Sequence, residues 1–181
     1  MRQGSARILA FGVGAAMGLL ASSVAWGAGK WRNDWATLQN ERHGFLIAYP
    51  VEVFQPKSAP TTDEGRVLYS PDGKAQLLVG AFANEEQMSL RGYREYLLQE
   101  SYAGAEIDYA PVRRNWFVLS GTIGDREFYE RVSFTCGGRL INSWAMVYPA
   151  SPRAENRYYD RIVEAIARTY TPGPGRSGNC D

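Results

Sequence analysis

Histidine is almost missing from this chain: His43 is the only one in 181 residues, and it stands in a polar turn beside Gly44. No Ser-His-Asp or Cys-His arrangement can be built away from that turn. Cysteine is as scarce. Cys136 and Cys180 are the full complement, and with one histidine they do not supply a closed zinc site. A dominant charge sign is lacking too: 20 basic against 19 acidic residues leave a formal charge of +1. Loss of Arg2 and Arg7 with a leader would bring this to about −1, and a near-neutral chain has no electrostatic footprint for nucleic acid or an anionic membrane. Asp63-Glu64 and Asp72 offer oxygens to a hard cation but lack calcium-loop spacing, and acidic turn chemistry accounts for them. No phosphate-cradling glycine loop follows the N-terminal run, and the glycines between Gly12 and Gly18 have the wrong spacing. The residues imply no cofactor and no metal.

What the chain does have is apolar mass. Hydrophobic residues make up 45% of it and aromatics 13%, enough to fill a core and exclude general disorder. The uncharged run Ile8–Gly29 follows Arg2 and Arg7, and Ser23 and Ala25 suit cleavage after Ala25, with Gly27 or Ala28 as later options. The expected organisation is a signal peptide over 1–25, a linker over 26–34, one domain over 35–170 and a Pro/Gly-rich tail over 171–181. The mature chain of about 156 residues suits one domain. An uncleaved anchor is the alternative, since the run is long enough at ~1.5 Å per residue to span ~30 Å. Both readings put the domain outside the cytoplasm, in a periplasmic or secreted setting, and cleavage leaves it with no membrane contact.

Short strands are expected at Trp35–Gln39 and Gly44–Tyr49, an exposed loop from Phe54 to Gly65, and a hairpin of Arg66–Ser70 and Lys74–Asn84 around Pro71-Asp72-Gly73. Ser89 can cap a helix to about Tyr102 with the stripe Leu90, Tyr93, Tyr96 and Leu97. Four β-rich runs follow: Ala105–Arg113, Trp116–Ile123, Arg126–Cys136 and Arg139–Tyr148. They are joined by the two-residue links Arg114-Asn115, Gly124-Asp125 and Gly137-Gly138. Ser151 and Pro152 then open a helix to about Tyr170 with the stripe Tyr158, Ile162, Ile166 and Tyr170, reinforced by Tyr159 and Val163. The fold class is α+β, an antiparallel meander flanked by two main helices.

The segments Gly44-Phe45-Leu46-Ile47-Ala48-Tyr49-Pro50 and Ser70-Pro71-Asp72-Gly73, and Tyr148-Pro149 before a helix bearing Ile162 and Ile166, resemble the PsbP/Mog1-like sandwich. With Trp116-Phe117-Val118-Leu119-Ser120-Gly121 added, the chain is more closely similar to uncharacterised secreted proteins of alpha-proteobacteria. The resemblance covers about Trp35 to Thr171 and rests on structural motifs. It implies a non-enzymatic binding or assembly module and nothing about a ligand.

Two-residue turns fix the register. Placing Cys136 opposite Arg139 and Ile123 opposite Arg126 gives one face Phe117, Leu119, Phe128, Val132, Phe134, Ile141, Ala145 and Val147. That is a core face, and Glu130 falls on it between Leu119 and Ala145. A buried carboxylate must be paired or have a raised pKa; a structural salt bridge is expected ahead of a general acid. The other face carries Trp116, Val118, Tyr129, Arg131, Leu140, Asn142, Trp144, Met146 and Tyr148. There Arg131 lies opposite Trp144 in position for a cation–π contact. Trp116, Tyr129, Arg131 and Trp144 are the candidate binding residues, unless the Ser89–Tyr102 helix covers that face as a second core layer.

The leading expectation is a non-catalytic binding or accessory domain for an unknown protein or cell-envelope partner. The alternatives are a carboxylate-dependent hydrolase of cell-wall material or an inhibitor of a secreted enzyme. An oxidising compartment and an even count predict a Cys136–Cys180 disulfide. The strand Arg139–Pro149 runs ~36 Å away from the turn, and the helix Pro152–Tyr170 returns ~28 Å. Cys136 lies on the Phe117 face in this register, so the bond would set the last helix on that face.

Overall fold

The computed structural model describes residues 34–56, 64–150, 156–174 and 180. The expected signal peptide, nearly all of the linker and the Ser151-Pro152 helix start lie outside these residues. A two-stranded sheet pairs β1 (Trp35–Gln39) with β2 (Leu46–Pro50). A seven-stranded antiparallel sheet has the order β3-β4-β5-β9-β8-β7-β6. Its strands are β3 (Gln55–Pro56), β4 (Gly65–Tyr69), β5 (Gln76–Ala83), β6 (Glu106–Tyr109), β7 (Trp116–Ile123), β8 (Arg126–Thr135) and β9 (Leu140–Pro149). Helices α1 (Leu90–Glu100) and α2 (Asn156–Thr169) complete the α+β domain.

The turns form as their chemistry dictates. Ser70 Oγ donates to Asp72 and accepts from the Ala75 N–H at 2.8 Å, while Asp72 also accepts from the Lys74 N–H at 3.0 Å, closing the β4–β5 hairpin. Asp72 is thus a turn residue. Ser89 caps α1 by accepting from the Gly92 N–H at 3.0 Å. The β7–β8 and β8–β9 registers are those fixed by the turns: Glu130 stands opposite Leu119 and Ala145, and Arg131 opposite Trp144. The β8–β9 link is wider than two residues. Cys136–Gly138 form a single 3-10 turn with Cys136 at φ 54° and Gly137 at φ 67°, which widens the loop symmetrically and preserves the pairing. The β6–β7 hairpin turns at Arg114-Asn115 and then slips by a bulge between Ile107 and Tyr109. Part of the expected 54–65 loop is strand, since Gln55–Pro56 pairs with Leu68 and Tyr69.

Both faces of the sheet are buried, each under a different helix. The chain leaves β5 near the middle of the sheet and enters β6 at its far edge, so α1 crosses β9, β8 and β7. Tyr93 and Leu97 of α1 pack there with Phe117, Leu119, Phe128, Val132 and Phe134. The other face, read as mixed, holds a second core in which Trp144, Met146 and Tyr148 pack with Phe45, Ile47 and Phe54 and with Ile162, Val163 and Ile166 of α2. Neither helix therefore lies where the sequence reading put it. The disulfide did not carry α2 to the Phe117 face, because Cys136 sits in the turn and not in β8, leaving its side chain free to meet a chain end from the other side. Tyr158, expected in the α2 stripe, is 38% exposed; Tyr159 takes its place, stacked on Tyr148 at 5.0 Å.

The segment after α2 belongs to the domain. Thr171 exchanges two backbone hydrogen bonds with Leu46. The fully buried Asn142 side chain donates to the Gly173 carbonyl at 2.9 Å and accepts from the Gly173 N–H at 2.8 Å. Any Cβ at Gly173 would run into the His43 carbonyl. This clamp carries the chain toward Cys180, which forms the disulfide with Cys136 (Cα–Cα 5.3 Å). Closing a loop of about 45 residues removes denatured-state entropy worth about 4 kcal/mol in the chain-entropy model. Denaturant unfolding of Cys136→Ser/Cys180→Ser protein is expected to show a loss approaching that value, and thiol titration of the unreduced, denatured protein should find no free thiol.

Candidate functional site

Of the four expected binding residues, the structure puts three at one half-exposed place and buries the fourth. Trp144 has no exposed surface. Its ring is occupied by Tyr129 at 5.0 Å and Tyr170 at 6.2 Å, so it is core and not part of an open contact face. This corrects the expected Arg131–Trp144 cation–π pair. With the Trp144 ring enclosed, the Arg131 guanidinium turns toward the outer strands and lies over Trp116, 4.7 Å from the ring centroid. The Arg113 guanidinium lies 5.7 Å from the same ring, which the β6–β7 turn brings alongside by setting Arg113 next to Trp116. The cover of this face comes from the β1–β2 hairpin and α2, and on β7 Trp116 stays half-exposed while Val118 is buried.

Trp116, Tyr129 and Arg131 are half-buried at that margin. Beyond them Tyr109 is 57% and Val112 47% exposed on the β6 side. Among the described residues neither Arg131 nor Arg113 has an ion pair. Arg113 donates to the Val112 carbonyl at 3.1 Å. Burial holds the Tyr129 hydroxyl above its ordinary pKa, and the nearby Arg131 charge pulls partly against that. Sequence reasoning missed Arg113, whose proximity to Trp116 is legible in the Arg114-Asn115 turn, and Tyr109, whose exposure follows from the bulge.

Glu130 has a different environment. It is 8% exposed, and among the described residues it has no salt bridge. Tyr102 OH donates to one carboxylate oxygen and Ser143 Oγ to the other, each at 2.6 Å. Burial raises its pKa, partly opposed by the Ser143 and Tyr102 hydrogen bonds. Tyr102 stacks on Phe128 at 4.1 Å, which fixes the donor. Both oxygens are thus committed inside the α1 core, an arrangement that joins the Ser101–Tyr102 helix end to β8 and β9. The His43 pKa is lowered first by burial and then by Arg42, with Glu64 pulling the other way.

Two open hollows, of about 730 and 550 Å³, lie near the β8–β9 turn on the α1 side, along Met88, Leu90 and Phe134. Two of their polar side chains are engaged with backbone. Asn84 binds the Met88 and Gly138 backbone, and the Arg139 guanidinium donates to the Cys136 and Cys180 carbonyls. Among the described residues there is no cluster of three or more metal-ligating side chains and no helix long and apolar enough to cross a membrane.

No family model matches the chain, and no curated protein matches it. A crystal structure of a Bacteroides thetaiotaomicron protein shares 14% identity with it at a TM-score of 0.40, over 71% of this chain. The chain spans 44% of that protein's length.

Two outcomes follow from these environments. Trp144→Ala should cost ~3–5 kcal/mol in denaturant unfolding, whereas the half-exposed Trp116→Ala should cost far less. Glu130 gains protons on folding because its folded pKa lies above the ordinary 4.5. Its contribution to stability is therefore fully present below 4.5 and is lost as pH rises through the folded pKa. Glu130→Gln should flatten that part of the stability–pH curve, read by chemical denaturation across the acidic range.

Proposed function

We propose that this protein is an exported, periplasmic or secreted recognition domain that works without catalysis and binds a protein partner through the margin formed by Trp116, Arg131, Arg113, Tyr129 and Tyr109. The observation that carries this reading is the Arg131–Trp116 stack. A guanidinium laid on an indole at a half-exposed edge, with no carboxylate paired to it among the described residues, combines two residue types enriched at the anchors of interfaces. The exposed Tyr109 and Val112 extend it with apolar surface. The disulfide supports an oxidising compartment. Reading the chain with the PsbP/Mog1-like proteins points the same way, since that resemblance implies binding and assembly roles.

The alternative of a carboxylate-dependent hydrolase draws no support from Glu130, whose oxygens are both engaged by hydroxyls within the core. An inhibitory role would use the same surface with a secreted enzyme as partner. Crosslinking capture from periplasmic extract tests the proposal. Trp116→Ala and Arg113→Ala/Arg131→Ala proteins are expected to recover ~10-fold less partner than the parent, while melting temperature stays near the parent value. Undiminished recovery by both folded variants would move the interface elsewhere.

A further inference from the structure

Of the buried polar atoms that have no hydrogen-bond partner among the described residues, four lie on or against the sheet face that carries the Trp116–Arg131 stack: Arg131 Nε, Ser133 Oγ, Trp144 Nε1 and Tyr170 OH. The register explains this placement. Arg131 and Ser133 are two apart on β8 and so share a face. Trp144 stands opposite Arg131 on β9, and Trp116 opposite Ser133 on β7. Tyr170, just past α2, brings its ring to 6.2 Å from Trp144, close enough for the Arg131 charge to act on its hydroxyl. Trp144 is 0%, Ser133 2% and Tyr170 8% exposed. The guanidinium and the indole can only donate, and each hydroxyl can donate as well.

Such groups are not left unpaired in a folded core without reason. The two acids of β8 do not serve them: Glu130 points to the opposite face, and Glu127 bonds Tyr148. A charged donor beside an indole N–H and two hydroxyls free to donate, with no acid paired to it among the described residues, suits an anion. We propose that this cluster is a carboxylate-binding site. The Nε edge of Arg131 and its neighbouring Nη form a planar fork that matches two carboxylate oxygens, the Trp116 ring holds that fork in plane, and Trp144, Ser133 and Tyr170 supply further donors to the same group. The inference rests on the binding reading above and deepens it, since this is where the surface would receive an acidic group of its partner. Tyr129 and Trp116, both half-buried, form the approach.

The experiment uses the full, disulfide-bonded protein and follows the indole N–H resonance that disappears in Trp144→Phe. Acetate is expected to shift it saturably, and acetamide over the same range is not. Arg131→Lys keeps the charge but loses the fork and should weaken acetate binding ~10-fold or more; Tyr170→Phe, which retains the ring, should weaken it several-fold. Peptides with a free or an amidated C-terminus, and acetyl-aspartate amide, separate a terminal from a side-chain carboxylate. An absent shift, or equal shifts from acetate, acetamide and chloride, would overturn the carboxylate site and assign the donors to water. Failure of acetate with capture still lost in Trp116→Ala would leave the binding reading standing without this site. Acetate binding with capture intact in Trp116→Ala would uphold the site and remove the partner surface.

Discussion

Strand β9 is buried on both faces, and the rest of the domain is arranged to cover it. It pairs with β5 on one side and β8 on the other along nearly its whole length. Ile141 and Val147 face the α1 core, and Trp144, Met146 and Tyr148 face the α2 core. A strand apolar on both sides needs a layer above and a layer below. The crossover from β5 to β6 supplies one. The β1–β2 hairpin, α2 and the residues after it supply the other. Asn142 is the one amide in this strand, and its buried hydrogen bonds to Gly173 close the second layer.

The buried polar groups fall into two kinds, and the distinction separates scaffold from surface. Asn142 and Glu130 have their hydrogen bonds met inside the chain, one by the Gly173 backbone and the Thr135 hydroxyl and the other by two hydroxyls, so each ties elements together. Arg131, Ser133, Trp144 and Tyr170 retain donors that the described residues do not meet. They sit where the second layer ends and β7 emerges toward solvent. The same incompleteness of cover that leaves Trp116 half-exposed leaves these donors within reach of something from outside.

Much of this was legible in the residues. Ser89 as a cap, the Pro71-Asp72-Gly73 hairpin and the pairing of β7, β8 and β9 follow from turn chemistry and period-two alternation, which act over a few residues. The pairing survived even where the turn was misjudged, since Cys136–Arg139 lengthened the loop equally on both strands. Tyr158 was wrongly placed in the buried stripe and the short strand β3 was missed for a common reason: a stripe or a loop composition does not say where a neighbouring element ends. Trp116 and Arg131 were identified together, but the ring over which the guanidinium lies was assigned to Trp144.

Local chemistry thus determined the strands, their register, the division of residues between two faces and the cysteine pair available to bond. Tertiary structure alone decided which helix covers which face, because that depends on the β5-to-β6 crossover and on where the sheet places its edges, and alternation within a strand is blind to both. It also decided that Trp144 is interior while Trp116 is not. Both are tryptophans on the same face of adjoining hairpins, and they differ only in whether Phe45, Phe54 and α2 reach far enough to bury them.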